Sequence, residues 1–189
     1  MANEIQVFRT LLSKEEYVAL CDKYYDKKGN MQVNYYFDTP RFTLKASEIG
    51  LRVRKREKYE LTLKRKKGYV TQELNNIISA EEFKSLLATG IVPDSEIGRE
   101  IADVLKEQLL ENYMSLSTFR ITVPIKSGRI AIDKCVYVDK KDYELEYETT
   151  VSYEQGKAEF IEMVKEFGIQ YKRALPKIKR AYEALKDQM

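Results

Sequence analysis

The sequence predicts an α+β fold in which seven or eight β-strands curl into a barrel, with a few helices packed around it. Two observations carry this. The first is a set of strands whose two faces differ in charge. Leu51-Arg52-Val53-Arg54-Lys55-Arg56 and Tyr143-Glu144-Leu145-Glu146-Tyr147-Glu148 both alternate apolar and charged residues. Alternate side chains of a strand share a face. Arg52, Arg54 and Arg56 therefore form a basic row, and Glu144, Glu146 and Glu148 an acidic one. Like charges in a row repel unless opposite charge faces them, which suggests a sheet curled with its polar side inward. For the acidic row alone, the plainer alternative is an edge strand with a charged outer face. The second observation is the strand count, too high for a simple two-layer sheet and right for a closed barrel.

In chain order, residues 4–12 read as the first strand. Ser13 and Glu16 then make a capping box that opens a helix to about Lys28, stopped by Gly29-Asn30. Gln32 to Asp38 is the next strand, ended by Thr39-Pro40, and residues 41–50 read as a loop or short turn. Leu51–Lys58 and Tyr59–Lys66 form a hairpin. Its second strand sets Thr62, Lys64 and Lys66 against Leu61, Leu63 and Arg65 on the other face, and Tyr69–Asn75 follows. Ser79 and Glu82 make a second capping box, with Gly90 ending that helix. After Pro93-Asp94-Ser95 an amphipathic helix runs to about Tyr113, with Ile97, Ile101, Val104, Leu105 and Leu109 on one side. Residues 116–123, 129–138 and 142–148 supply three more strands. Ser152 and Gly168 bracket a helix, and a last one starts near Pro176, a residue favoured at the first helical position.

The 189 residues are expected to form one domain, 1–189, with a core large enough to fold alone. A net charge of +3 excludes a polycationic nucleic-acid binder, although residues 51–67 are strongly basic and 139–148 lean acidic. Cys21 and Cys135 lack metal-ligand spacing and fit a reducing cytoplasm. No stretch reads as a signal peptide, and no apolar run approaches the roughly 18 residues of a membrane span. A soluble, cytoplasmic protein with neither nucleic-acid nor membrane partner is expected. With no histidine in the chain, Ser–His and Cys–His nucleophiles, His-ligated zinc and His bases are all excluded.

Eight segments, in order, resemble a known family: Tyr36-Phe37-Asp38-Thr39, Leu51-Arg52-Val53-Arg54, Leu61-Thr62-Leu63-Lys64, Gln72-Glu73-Leu74, Thr118-Phe119-Arg120, Ile130-Ala131-Ile132-Asp133, Tyr143 to Glu148, and Lys177-Ile178-Lys179-Arg180. Together they resemble the CYTH domain, also called the triphosphate tunnel metalloenzyme family. The resemblance implies an eight-stranded antiparallel barrel open at both ends. Basic residues in it grip a triphosphate, and glutamates hold one or two divalent metals, Mg²⁺ or Mn²⁺. The chemistry is consistent with the residue types. Arginine forks match phosphate oxygens and lysine adds point charge. Carboxylates suit hard cations, and phosphoryl transfer to water needs positioning and charge neutralisation more than a histidine.

Carried over residue by residue, the resemblance assigns phosphate binding to Arg52, Arg54, Lys64 and Arg120, with Lys66 continuing the inward row. Lys177 matches the family's C-terminal lysine that closes over the phosphates, although Pro176 replaces the usual serine. Arg180 either joins it or caps the last helix. Glu144 and Glu146 lead the metal ligands, with Glu148 and Asp133 behind. Glu73 is the family's acidic residue on the strand after the basic pair, or else the partner of a nearby lysine.

One departure matters. The family's Glu-x-Glu-x-Lys on the first strand is missing. Counted from Glu4, the inward residues are Glu4, Gln6 and Phe8; counted back from Arg9, they are Ile5, Val7 and Arg9. A β-bulge would let both Glu4 and Arg9 face in, as metal and phosphate ligands respectively. Even then one carboxylate is lost, and a weakened metal site is expected. The function so implied is a metal-dependent phosphohydrolase of a triphosphate compound: inorganic triphosphate, thiamine triphosphate or a nucleoside triphosphate. The alternatives are a non-catalytic polyphosphate- or nucleotide-binding protein and an adenylate cyclase. A monomer and a homodimer are both compatible with the sequence.

Overall fold

The computed structural model describes residues 5–67 and 70–188; at Lys66, Lys67, Val70 and Thr71 it describes the backbone alone. Glu4 lies outside the described residues, and so does the side chain of Lys66. Eight strands and six helices are present among the described residues. They run β1 (Gln6–Leu12), α1 (Lys14–Lys23), β2 (Gly29–Asp38), α2 (Thr43–Ala46), β3 (Ile49–Lys55), β4 (Tyr59–Lys67) and β5 (Val70–Ile78). There follow α3 (Ala80–Thr89), α4 (Glu96–Leu105), β6 (Glu111–Ile125), β7 (Gly128–Tyr137), β8 (Lys140–Thr149), α5 (Tyr153–Glu166) and α6 (Lys177–Lys186).

The strands form one sheet in the order β1-β8-β7-β6-β2-β3-β4-β5. Its β1–β8, β7–β8, β2–β3, β3–β4 and β4–β5 pairings are antiparallel. This is the expected α+β fold. The sheet itself is not closed, because β1 and β5 stand at its two ends and do not pair with each other among the described residues.

The chain divides into two compact units. One is built from both ends of the chain, up to Met31 and from Ser117 on; the other is Gln32–Leu116. In the central unit, Leu51 and Val53 of β3 and Leu61 and Leu63 of β4 turn into a core with Phe83 and Leu86 of α3 and Ile97 and Ile101 of α4. Arg65, on that same face of β4, reaches out to Glu100 of α4 at 3.1 Å. In the unit made from the chain ends, Leu145 and Tyr147 of β8 pack with Ile130 and Ile132 of β7, Leu20 of α1, and Phe160 and Val164 of α5. Both cores take up the apolar rows read from the sequence, leaving the charged rows on the opposite face of each strand.

Local signals set most boundaries. Ser13 and Ser79 both form complete capping boxes, with Glu16 and Glu82, and Gly90 ends α3 in the left-handed region at φ 70°. Four readings need correction. Helix α1 stops at Lys23, and Gly29-Asn30 belongs to β2. There the backbone lies so close to Phe119 that a Cβ on Gly29 would meet its ring at 2.0 Å. Helix α4 ends at Leu105 rather than near Tyr113, since Lys106 and Glu107 both take positive φ and Leu109 is exposed. A short helix, α2, sits where a loop was expected. Asp38 builds it by accepting hydrogen bonds from the Thr39, Leu44 and Lys45 amides. Pro176 is the N-cap of α6, and Lys177 is its first helical residue.

Candidate functional site

Strand β8 supplies the frame of an acidic centre in the unit made from the chain ends. Its register with β7 pairs Asp133 with Glu144 and Arg129 with Glu148. Directly paired residues point to the same side of a sheet, with Cβ atoms about 5 Å apart. Asp133 therefore joins the glutamate row from the neighbouring strand. One carboxylate oxygen from each of Asp133, Glu144 and Glu146 lies within 4.8 Å of the others, and all three residues are buried. Glu148 stays outside this triangle, held by Arg129 at 2.5 Å. Asp133 is thus a member of the group and Glu148 its neighbour, a distinction the sequence does not draw.

Three cations close on the triangle. Lys177 Nζ lies 2.5 Å from Asp133, 2.7 Å from Glu144 and 2.8 Å from Glu146. Arg120 forks onto Asp133 through Nε and Nη2 at 2.8 and 2.6 Å, and Nη2 also donates to Glu146 at 2.6 Å. Arg180 reaches Glu144 at 2.6 Å and donates to Asp142 at 3.0 Å. Arg9 approaches Glu146 more loosely, at 3.7 Å. Four residues expected to grip phosphate, Arg9, Arg120, Lys177 and Arg180, are therefore turned onto carboxylates.

The position of α6, which carries Lys177 and Arg180, follows from contacts the sequence reading did not find. Thr10 of β1 accepts from the Lys172 amide and donates to its carbonyl, while Glu16 accepts from the Gln170 amide. These bonds tie the segment before α6 to the start of the chain.

Burial drives the electrostatics. It pushes the Glu144 carboxyl up to about 7, with the nearby Glu146 adding to the rise against the pull of Lys177 and Arg180. Burial would raise Glu146 too, but Lys177 and Arg120 hold it well below the usual carboxylate range. Lys177 is raised above its ordinary value, because its three carboxylates outweigh the cost of burying its charge.

Both carboxylate oxygens of Glu144 are buried, and they meet Lys177 at 2.7 Å and Arg180 at 2.6 Å as ion pairs without aligned hydrogen-bond geometry. Such oxygens are what a cation without directional demands would use. Three converging carboxylates form a hard donor set that suits a divalent cation of the Mg²⁺ or Mn²⁺ kind.

The described part of the first strand follows the count back from Arg9. The β1–β8 register runs unbroken from Gln6↔Thr149 to Leu12↔Tyr143, with no bulge. Val7, Arg9 and Leu11 therefore share a side with Glu148, Glu146 and Glu144. At Val7, on the side facing the acidic row, the first strand offers an aliphatic side chain in place of a carboxylate.

In the central unit the polar face of β2–β5 carries the expected basic residues. Arg54 Nε donates to Asn34 at 2.9 Å and Arg56 Nε to Gln32 at 3.1 Å. Arg52 Nε is buried and donates to no group among the described residues. Lys64 pairs with Glu73, its cross-strand partner, at 2.9 Å. Against the burial of its carboxylate, that lysine holds Glu73 below its ordinary value. Glu73 is accordingly a lysine's partner within its own unit. The carboxamides of Gln32, Asn34 and Asn75 were missed, although Gln32-x-Asn34 repeats at the two-residue period that singled out the arginines.

Comparison with known proteins gives a consistent picture. The sequence pattern of the CYTH domain matches residues 6–182. YjbK of Bacillus subtilis (strain 168), named as a candidate triphosphatase, is 30% identical over 188 residues, which is 97% of each chain. A Bacillus halodurans structure described as a candidate adenylate cyclase aligns with a TM-score of 0.79 at 30% identity, over 92% of this chain and 95% of its own. HpAC1 of Hippeastrum, described as a candidate adenylyl cyclase with a dominant triphosphatase activity, also gives 0.79, at 20% identity over 96% of both chains. At that identity the likeness is one of fold.

Proposed function

Because the chain belongs to the CYTH domain family, we propose that it is a metal-dependent phosphohydrolase acting on a triphosphate compound. The observation that carries this reading is the buried triangle of Asp133, Glu144 and Glu146, in a chain that matches YjbK along 97% of its length. The three carboxylates would hold Mg²⁺ or Mn²⁺, which supplies charge neutralisation at phosphate oxygens when bound. Arg52, Arg54 and Lys64 would bind and orient the phosphates. Arg52 supports this with a buried Nε that lacks a partner among the described residues. Asn34 would orient the Arg54 fork through its side-chain oxygen.

A second reading, a non-catalytic polyphosphate- or nucleotide-binding protein, is favoured by one observation: the aliphatic Val7 of β1 opposite Glu148. Phosphate release from tripolyphosphate, thiamine triphosphate and ATP, with Mg²⁺, Mn²⁺ or EDTA, decides between the two. Release that needs metal is expected, and the preferred substrate names the activity. Thermal stabilisation by tripolyphosphate without release under any condition would favour the binding protein. Cyclic AMP formed from ATP would instead reveal the cyclase chemistry, in which a ribose hydroxyl replaces water.

Cys21 and Cys135 are free thiols, and among the described residues no helix is long and apolar enough to cross a membrane. The free thiols suit a reducing compartment, and we place the protein in the cytoplasm, as one domain over residues 1–189. Gel filtration would tell a monomer from a homodimer.

A further inference from the structure

We infer that Lys177 is a resident counter-ion of the acidic triangle, and that its ammonium and a divalent cation exclude one another there. This rests on the metal-dependent reading above. Lys177 Nζ is the one atom that touches all three carboxylates, within 2.5–2.8 Å of each. The contact is charge against charge, at ion-pair distance but without the alignment of a hydrogen bond.

The neighbouring arginines are held differently. Arg120 makes three aligned bonds to Asp133 and Glu146, and Arg180 donates to Asp142 and to the Leu175 carbonyl. An ammonium is a compact point charge on a flexible stem, whereas a guanidinium fork is tied by its geometry. Of the cations at the site, Lys177 occupies the position a metal would take, and no aligned hydrogen bond fixes its ammonium there.

Two cations within one triangle 4.8 Å across would repel strongly in so buried a place. Entry of a divalent cation therefore drives the ammonium out, and Lys177 at the first position of α6 can leave by moving its own stem. The released charge becomes available to an anion. Metal occupancy and the availability of Lys177 are thereby linked, and the link is reciprocal: whatever holds Lys177 elsewhere favours the metal.

Two measurements without any triphosphate test this. In calorimetric titration with Mn²⁺, Lys177→Met is expected to bind roughly tenfold or more tightly than the wild-type chain. In the wild-type chain, acetylation by a lysine-selective ester, mapped by mass spectrometry, is expected to rise severalfold at Lys177 when Mn²⁺ replaces EDTA. The exposed Lys179 should not change. Equal Mn²⁺ affinity in both proteins with unchanged labelling at Lys177 would overturn the inference while leaving the metal reading intact. Absence of Mn²⁺ binding in both would overturn the two together. If Lys177→Met does not fold, labelling of the wild-type chain decides alone.

Discussion

Arg9 and Glu146 are direct partners across the β1–β8 ladder, with Arg9 Nε 3.7 Å from Glu146 Oε1. That register puts Val7 opposite Glu148, and Val7 is 42% exposed. A glutamate there would fit sterically but would face a like charge.

Val7→Glu should therefore lower stability in EDTA, by an amount of the same order as the roughly 0.2–1 kcal/mol of a cross-strand pair. It should also gain more from added Mn²⁺ than the wild-type chain does, because it adds a carboxylate to the acidic row. Thermal melts in EDTA and in Mn²⁺ check both. Equal stabilisation by Mn²⁺ in the two proteins would argue against a metal at that row.

Arg120→Met should cost about 3 kcal/mol in urea unfolding. It removes the fork from a fully buried Asp133 and leaves three carboxylates with one cation fewer. A loss below about 1 kcal/mol, the range of exposed pairs, would mean that water replaces the arginine freely.

The pH dependence of metal-free stability should carry the mark of Glu144. Its folded value of about 7 lies above the ordinary 4.5, so between those limits the folded chain holds more protons than the unfolded one. Its contribution is full below about pH 4.5 and is lost as the pH rises through 7. Glu146 acts in the opposite sense, adding stability above its ordinary value and losing it in acid. Melting in EDTA from pH 5 to 8 should show a falling component that disappears in Glu144→Gln. The same slope in that variant would assign the effect to another group.

Arg54→Ala should weaken tripolyphosphate binding roughly tenfold or more, with or without metal, as expected for losing a charged hydrogen-bond donor. Glu146→Ala should instead weaken the dependence on metal. Unchanged tripolyphosphate affinity in Arg54→Ala, read by calorimetry, would count against phosphate binding on the basic face.

Gly90→Ala should destabilise by more than the roughly 1–2 kcal/mol that a left-handed residue alone costs. Gly90 sits at φ 70°, and a Cβ there would meet the Leu110 carbonyl oxygen at 2.4 Å. Chemical unfolding of the variant checks this.

Much of the fold was legible because it rests on local signals. The two-residue period of Leu51 to Arg56 and Tyr143 to Glu148 gave both strand and face, and Ser13 and Ser79 gave helix starts. The acidic triangle was only partly legible. Glu144 and Glu146 declare themselves by spacing, but Asp133 enters through the β7–β8 register, which no single strand reveals. The direction taken by the cations was not legible at all. Arg120 has the same residue type and spacing whether it binds phosphate or carboxylate, and only the approach of Asp133 and Glu146 decides. Nor could α4 be ended correctly, since Leu109 continues the helical apolar pattern while the backbone has already turned at Lys106.

The division of the chain also bears on how it is made. Strand β1 leaves the ribosome well before its partner β8, since Glu146 follows its partner Arg9 by some 137 residues. At about 5–20 residues per second, β1 waits on the order of ten seconds for its ladder. The central unit, Gln32–Leu116, is complete well before that. A nascent chain halted before β8 would therefore present an ordered middle with an unmatched strand edge at its start, the kind of edge that other chains can capture.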